Sequence, residues 1–170
     1  VIKKAFKEHD LQNPVITRGV VVIHGGKLIA EHYGTGFDLE TRMAGWSMTK
    51  SITNALIGIL VHEGKLRVTD RACVPEWSSP DDPRFHLTIN HLLHMTTGLT
   101  FEETYSNIFG DVTKMLFVER NAGAYAASKR LIRPIDKRWS YSSGTTNVLS
   151  SIIRRAVGER NCWEFPSNEL

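Results

Sequence analysis

The sequence predicts an α/β (α+β) fold: an N-terminal β-hairpin of an antiparallel sheet packed with a mainly helical subdomain. Three observations carry this. Two β-rich runs flank Gly25-Gly26 in "GVVVIHGGKLIAEHYG". A long apolar run, from about Ser47 to His62, stops at Gly64. Everything after it reads as short helical stretches punctuated by Gly, Pro and Thr. The hairpin falls within residues 1–40 and the helical part within 41–170, read together as a single domain, 1–170.

The elements follow in order. Ile2, Ala5 and Phe6 have helical spacing, so the opening residues up to about His9 read as the end of an amphipathic helix. Pro14 breaks it. Gly25-Gly26 supplies the positive φ angles of a tight hairpin turn. The loop "TGFDLETRMAG" leads to the long helix, which Gly64 ends as a C-cap. "LRVTDRACVPEW" reads as a short linker and helix, and "SSPDDPRF" as a loop. In "LTINHLLHMTTGL", Thr88 is an N-cap to a short helix that stops at Gly98. Thr113 to Ala127 reads as one helix with Gly123 as its weak point. "RPIDKRWSYSSGTTN" reads as loop or turn, Thr146 to Val157 as a helix, and "GERNCWEFPSNEL" as the opening of another. Two strands do not make a stable isolated sheet, so the hairpin must pack on helices or belong to a larger sheet.

Composition narrows the function. With 170 residues, 41% hydrophobic and 23% charged, the chain is long enough to bury a core. The net charge of +3 is mildly basic, and the basic residues are scattered apart from Lys129-Arg130, Lys137-Arg138 and Arg154-Arg155. That pattern reads as solvated basic faces and argues against nucleic acid as a partner. The two cysteines, Cys73 and Cys162, form neither a CxxC nor a disulfide framework and do not fix the compartment. "VIKKAFKEHD" lacks the apolar stretch of a signal peptide. The longest apolar stretch, Ile52 to Val61, is too short for a bilayer and reads as a buried core helix.

That helix raises the chemical question. At about 100° per residue, Ser47, Lys50, Ser51 and Asn54 share one stripe. The remaining positions are almost all apolar, so the pattern predicts a central helix that carries a polar stripe inward at its N-terminal end. Buried serine and lysine are costly unless paired or functional. A first-turn serine lies near the positive end of the helix dipole, and a desolvated lysine on the same face can accept or hold a proton. A bare Ser-x-x-Lys arises by composition about once in a chain of this length, so the motif alone decides nothing. Tyr141, in the small-residue loop "WSYSSGTTN", can deliver its hydroxyl into a cleft, where a phenolate near a lysine is a workable base; packing is the plainer reading. Trp46 and Trp139 flank the serine and the tyrosine. Packing is their default role, and lining an apolar acyl pocket the alternative.

Ser47-Met48-Thr49-Lys50 after an aromatic residue, the "EGKL" that follows, "TINHLLHMTTGL", and "YSSGTTN" before a helix occur in that order. Together they resemble the class C β-lactamase-like serine hydrolases, the penicillin-recognising family with β-lactamase, esterase and 6-aminohexanoate-oligomer hydrolase members. The resemblance runs from about Val20 to Phe165 and implies a β-lactamase/transpeptidase-like fold without a cofactor. It implies Ser47 as the acylated nucleophile, Lys50 as the residue that lowers the serine's proton affinity and relays its proton, and Tyr141 as the partner base. The backbone N–H of Ser47 would be one oxyanion donor. Ser143 stands where the family usually has an asparagine that contacts substrate, which favours an ester or amide over a β-lactam. The partner implied is a small-molecule acyl substrate. The family's third motif, Lys-Thr-Gly or a His-x-Gly variant on a strand, does not follow Tyr141. The reading is therefore of an N-terminal portion lacking the C-terminal strands, inactive or barely active alone, with an unpaired sheet edge. A non-catalytic ligand- or peptidoglycan-binding relative is the alternative, and a purely structural helical protein the third.

Other features suggest no site. His91 and His94 have no Cys or carboxylate nearby to complete a metal-ligand set. "VHEGK" places Leu66 where a zinc-protease motif needs its second histidine. Asp10, Asp70, Asp81 and Asp82 read as caps and loop residues.

Overall fold

The structure is a computed structural model that describes residues 2–170. The chain divides into two compact units: one ends at Ala44, and the other runs Gly45–Leu170.

The first unit holds helix α1 (Ile2–Ala5) and strands β1 (Gly19–His24) and β2 (Lys27–Tyr33). The strands pair antiparallel, from Gly19 opposite Tyr33 to His24 opposite Lys27. Gly25 and Gly26 have φ of 56° and 72°, the left-handed pair that a two-residue hairpin turn demands. The register shifts between Val22 and Ile23, leaving Ile29 as the extra residue of a bulge. α1 is shorter than the sequence suggests. It is tied to the hairpin by a bond from the Thr17 hydroxyl to the Ala5 carbonyl (2.6 Å) and by Phe6 packed edge-on to His32.

The second unit is helical: α2 (Thr49–His62), α3 (Ile89–Leu93), α4 (Asp111–Phe117), α5 (Ala122–Ala127), α6 (Ser143–Val157) and α7 (Phe165–Glu169). Its centre is α6, which packs against α2, α3, α4 and α5. Val148, Leu149, Ile152 and Ile153 of α6 interlock with Leu56, Ile57 and Leu60 of α2 and with Ile89 and Leu92 of α3. The α6 sequence has the i, i+3/i+4 spacing that puts these side chains on one stripe. Trp77 closes the core, its indole N–H donating to the Ala127 carbonyl at 2.8 Å. Arg84, held by Asp82, donates to the Ala127 and Lys129 carbonyls and so satisfies groups left over at the end of α5.

Three expectations change. α2 is not buried all round: its covered stripe is Thr53, Leu56, Ile57 and Leu60, while Ser51, Ile52 and Asn54 are exposed. Within this unit α6 is the helix most extensively packed on it, followed by α7. The stretch from Thr113 to Ala127 is two helices, because the Asn121 side chain accepts the Ala124 N–H and starts α5 afresh. Gly123 is the contact point of that new helix: a Cβ there would meet the Ser151 Oγ of α6 at 1.9 Å. α6 begins three residues earlier than its apolar pattern, because Ser142 caps it by accepting the Thr145 N–H (3.2 Å).

Candidate active site

The serine and lysine come from one short stretch. Ser47 lies in a 3₁₀ turn, Trp46–Met48, that runs directly into α2. Trp46 adopts φ of 44°, a left-handed conformation that is unfavourable for a bulky side chain and that sets the entry of the turn. Lys50 sits in the first turn of α2 and is half-buried, while Ser47 is exposed. The Lys50 ammonium donates to the Ser47 Oγ at 3.0 Å.

The tyrosine is delivered by a loop that "HMTTGL" holds in place. The Ser140 N–H donates to the Met95 carbonyl (2.9 Å), Asp136 N–H to Thr96 (2.9 Å) and Ile132 N–H to Gly98 (3.1 Å). The Thr96 hydroxyl adds a bond to the Asp136 carboxylate. The loop then enters α6 through the Ser142 cap, leaving Tyr141 one residue before it. The Tyr141 hydroxyl donates to the Ser47 Oγ at 2.7 Å. Ser47 Oγ thus accepts from both the amine and the phenol. The Lys50 ammonium also lies 4.8 Å from the centre of the Tyr141 ring. The adjacent ammonium, and then the Ser47 hydroxyl, hold the Tyr141 phenol below its ordinary value by favouring the phenolate.

Ser143 is buried at the start of α6, and its Oγ accepts from Lys50 at 3.0 Å. Its N–H and hydroxyl both donate to the Glu103 carboxylate, the former at 2.8 Å. Trp46 borders a cleft of ≈ 260 Å³ with Ser47, Lys50, Tyr105 and Ser143, and stacks edge-on to Tyr105 at 6.3 Å. Trp139 does not line that cleft; it lies against the Tyr141 ring and is 64% exposed.

The structure therefore brings together Ser47, Lys50, Tyr141 and Ser143, with Trp46 at the border and Trp139 behind the tyrosine. Sequence reasoning did not find Glu103 or Tyr105. Both stand in "FEETY", a polar loop with no periodicity, and Glu103 is 40 residues from the serine it binds. The histidines of "HLLH" serve the fold: His91 Nδ1 accepts the Thr88 N–H to complete a capping box, and His94 Nδ1 bonds the Asn90 carbonyl. Among the described residues, no group of three or more His, Cys, Asp or Glu could hold a metal, and no helix is long and apolar enough to cross a membrane.

A serine, a lysine and a tyrosine thus converge at a helix start within the helical unit. The chain matches the Beta-lactamase family model over residues 4–164 and belongs to that family. It is 25% identical to the 6-aminohexanoate-dimer hydrolase of Paenarthrobacter ureafaciens, over 85% of this chain and 39% of that protein. It superposes on a putative 6-aminohexanoate-dimer hydrolase from Bacillus anthracis with a TM-score of 0.61 and 22% identity, over 82% of this chain and 40% of that one. The latter likeness speaks to the fold, which is α+β of β-lactamase type. The chain spans about two-fifths of the length of both relatives.

Proposed function

We propose that this chain carries the nucleophile half of a serine hydrolase that works through an acyl-enzyme on a small ester or amide, with Ser47 as nucleophile. One observation carries the reading: the Ser47 Oγ stands 3.0 Å from the Lys50 Nζ and 2.7 Å from the Tyr141 Oη at the opening of a helix. A hydroxyl is a weak nucleophile until a neighbouring group takes its proton. Tyr141, as phenolate, accepts that proton as the Ser47 Oγ attacks the acyl carbon. Lys50 remains cationic, stabilising the phenolate beforehand and the developing oxyanion charge afterwards. Tyr141 then passes the proton to the leaving alcohol or amine as its bond to the acyl carbon breaks. In the second half, Tyr141 takes a proton from water as it attacks the ester of Ser47, and returns that proton to the Ser47 Oγ as its bond to the acyl carbon breaks and the acid leaves. The Ser47 N–H, at a helix start where such groups lack intrahelical partners, supplies one oxyanion donor. The buried Ser143 hydroxyl, spent on Lys50 and Glu103, offers substrate no amide contact, and this favours esters and linear amides over β-lactams.

Two consequences test the roles of the tyrosine and the substrate class. In the full-length protein, Tyr141→Phe lowers the acylation rate by about 10²- to 10⁴-fold. Because the phenol is held below its ordinary value, the wild-type rate rises with pH and levels off below the value of about 10 of a free tyrosine, which rate measurements between pH 5 and 10 will show. Turnover of p-nitrophenyl esters, a linear amide and nitrocefin ranks the substrates: ester or amide above nitrocefin supports the reading. The reverse order makes it a β-lactamase, and failure of all three favours a non-catalytic binding relative.

A further inference from the structure

We propose that Glu103 is a positioning residue for Lys50, acting through the hydroxyl of Ser143; this rests on the reading of Ser47 as nucleophile. An ionised carboxylate only accepts hydrogen bonds, so both bonds between Glu103 and Ser143 are donated by the serine, from its N–H and its O–H. A serine hydroxyl has one proton. Once that proton is committed to Glu103, the oxygen can only accept, and the donor that faces it is the Lys50 ammonium at 3.0 Å. The chain of bonds therefore has one direction, from Lys50 to Ser143 to Glu103. It fixes the lysine's head by a second contact in addition to its bond to Ser47. It also puts a carboxylate one serine away from the ammonium, in a half-buried site where charge–charge attraction is weakly screened. Without Glu103 the Ser143 proton is free to rotate toward Lys50 and to repel it. A hydroxyl is a dependable acceptor for a lysine only when something else holds its proton.

The surrounding structure is built to hold the carboxylate there. The neighbouring Glu102 is fixed at three points: its N–H donates to Asp111 (2.8 Å), its carbonyl accepts from the Val112 N–H (3.0 Å), and its carboxylate accepts from the Asn107 amide. Asp111 is itself held by Lys129 at 2.6 Å and by the Tyr125 hydroxyl at 2.8 Å. Gly144 supplies the last condition. A Cβ there would stand 2.6 Å from the Phe101 ring, so only glycine lets the segment from Phe101 to Glu103 lie against the start of α6. Glu103 touches neither Ser47 nor the space where an acyl group would sit beside it, so its effect belongs to the rate of acylation and not to substrate affinity.

The test is pre-steady-state hydrolysis of a p-nitrophenyl ester by the full-length protein. The burst amplitude counts working sites, and the burst rate constant reports acylation. Glu103→Gln is expected to slow the burst about tenfold or more, the scale of a lost bond to a charged group, with the count of working sites and the substrate Kd, read from the concentration dependence of the burst rate, unchanged. Glu103→Asp recovers part of the rate, and Glu103→Gln added to Ser143→Ala slows it no further than Ser143→Ala alone. A wild-type burst rate in Glu103→Gln, or losses that add in the double variant, overturns the role of Glu103 and leaves the nucleophile standing. A loss of amplitude in Glu103→Gln that tracks a fall in melting temperature, with Glu103→Asp no better, makes the residue structural and likewise overturns it. No burst in the wild type, or a burst that survives Ser47→Ala, removes the nucleophile reading and this inference together.

Discussion

The two units of the chain are held together by different physics. No described residue up to Ala44 is buried, and the hairpin exposes Val21, Ile23, Leu28 and Ile29. Its order comes from local chemistry: a Gly-Gly turn, a ladder of backbone bonds and one bulge. The unit from Gly45 to Leu170 contains every buried core residue, from Leu56 to Phe165. Four of its six helices, α3, α4, α5 and α7, are only a turn or two long, and helices of that length do not persist in water without tertiary packing. The candidate site is placed at the N-terminal ends of two helices of this packed unit, α2 and α6. A catalytic hydrogen-bond chain needs positions fixed to a fraction of an ångström, and close-packed helices supply that where an exposed hairpin does not.

All four tryptophans lie in the helical unit, and Trp77 is in its core, so tryptophan fluorescence follows that unit alone. Leu60→Ala gives the largest effect. Leu60 is fully buried between α2 and its neighbours, and the cavity and lost burial cost about 2–5 kcal/mol in urea unfolding. Gly123→Ala follows. Its methyl must displace Ser151 or push α5 off α6, at a cost of about 1–3 kcal/mol by the same measurement. Ile23→Thr is the smallest: the side chain is 67% exposed, threonine keeps the β-branch, and the fluorescence transition moves by no more than about 0.5 kcal/mol. A shift of the tryptophan transition by Ile23→Thr as large as that of Leu60→Ala would erase the distinction between the units.

Much of the first unit was legible because its signals are local. Gly25-Gly26 needs no distant partner to make a turn, and in the second unit the equally local Thr88 caps α3 from three residues away. The candidate-site residues were legible in part. Ser47 and Lys50 announce themselves by spacing, and Tyr141 by its place before a run of small residues. The geometry behind them was not. Ser142 to Thr145 read as a polar turn, yet all four residues are buried at the head of α6, because their small size lets Phe101 and Lys50 approach. The break at Asn121 hid inside an apolar pattern, because a capping side chain outweighs continuity there. Glu103 had no periodic signal at all, because its partner comes from a different element brought near by tertiary packing. The apolar composition of α2 suggested burial on every side, whereas the buried residues are Thr53, Leu56, Ile57 and Leu60.

The central claim is that the Ser47 oxygen, set between Lys50 and Tyr141, is a nucleophile. Treating the full-length protein with a fluorophosphonate and mapping the adduct by peptide mass spectrometry tests it most directly. The adduct is expected on the peptide that carries Ser47, absent in Ser47→Ala and formed far more slowly in Tyr141→Phe. An adduct on any other residue, or none after prolonged reaction of folded protein, contradicts the account.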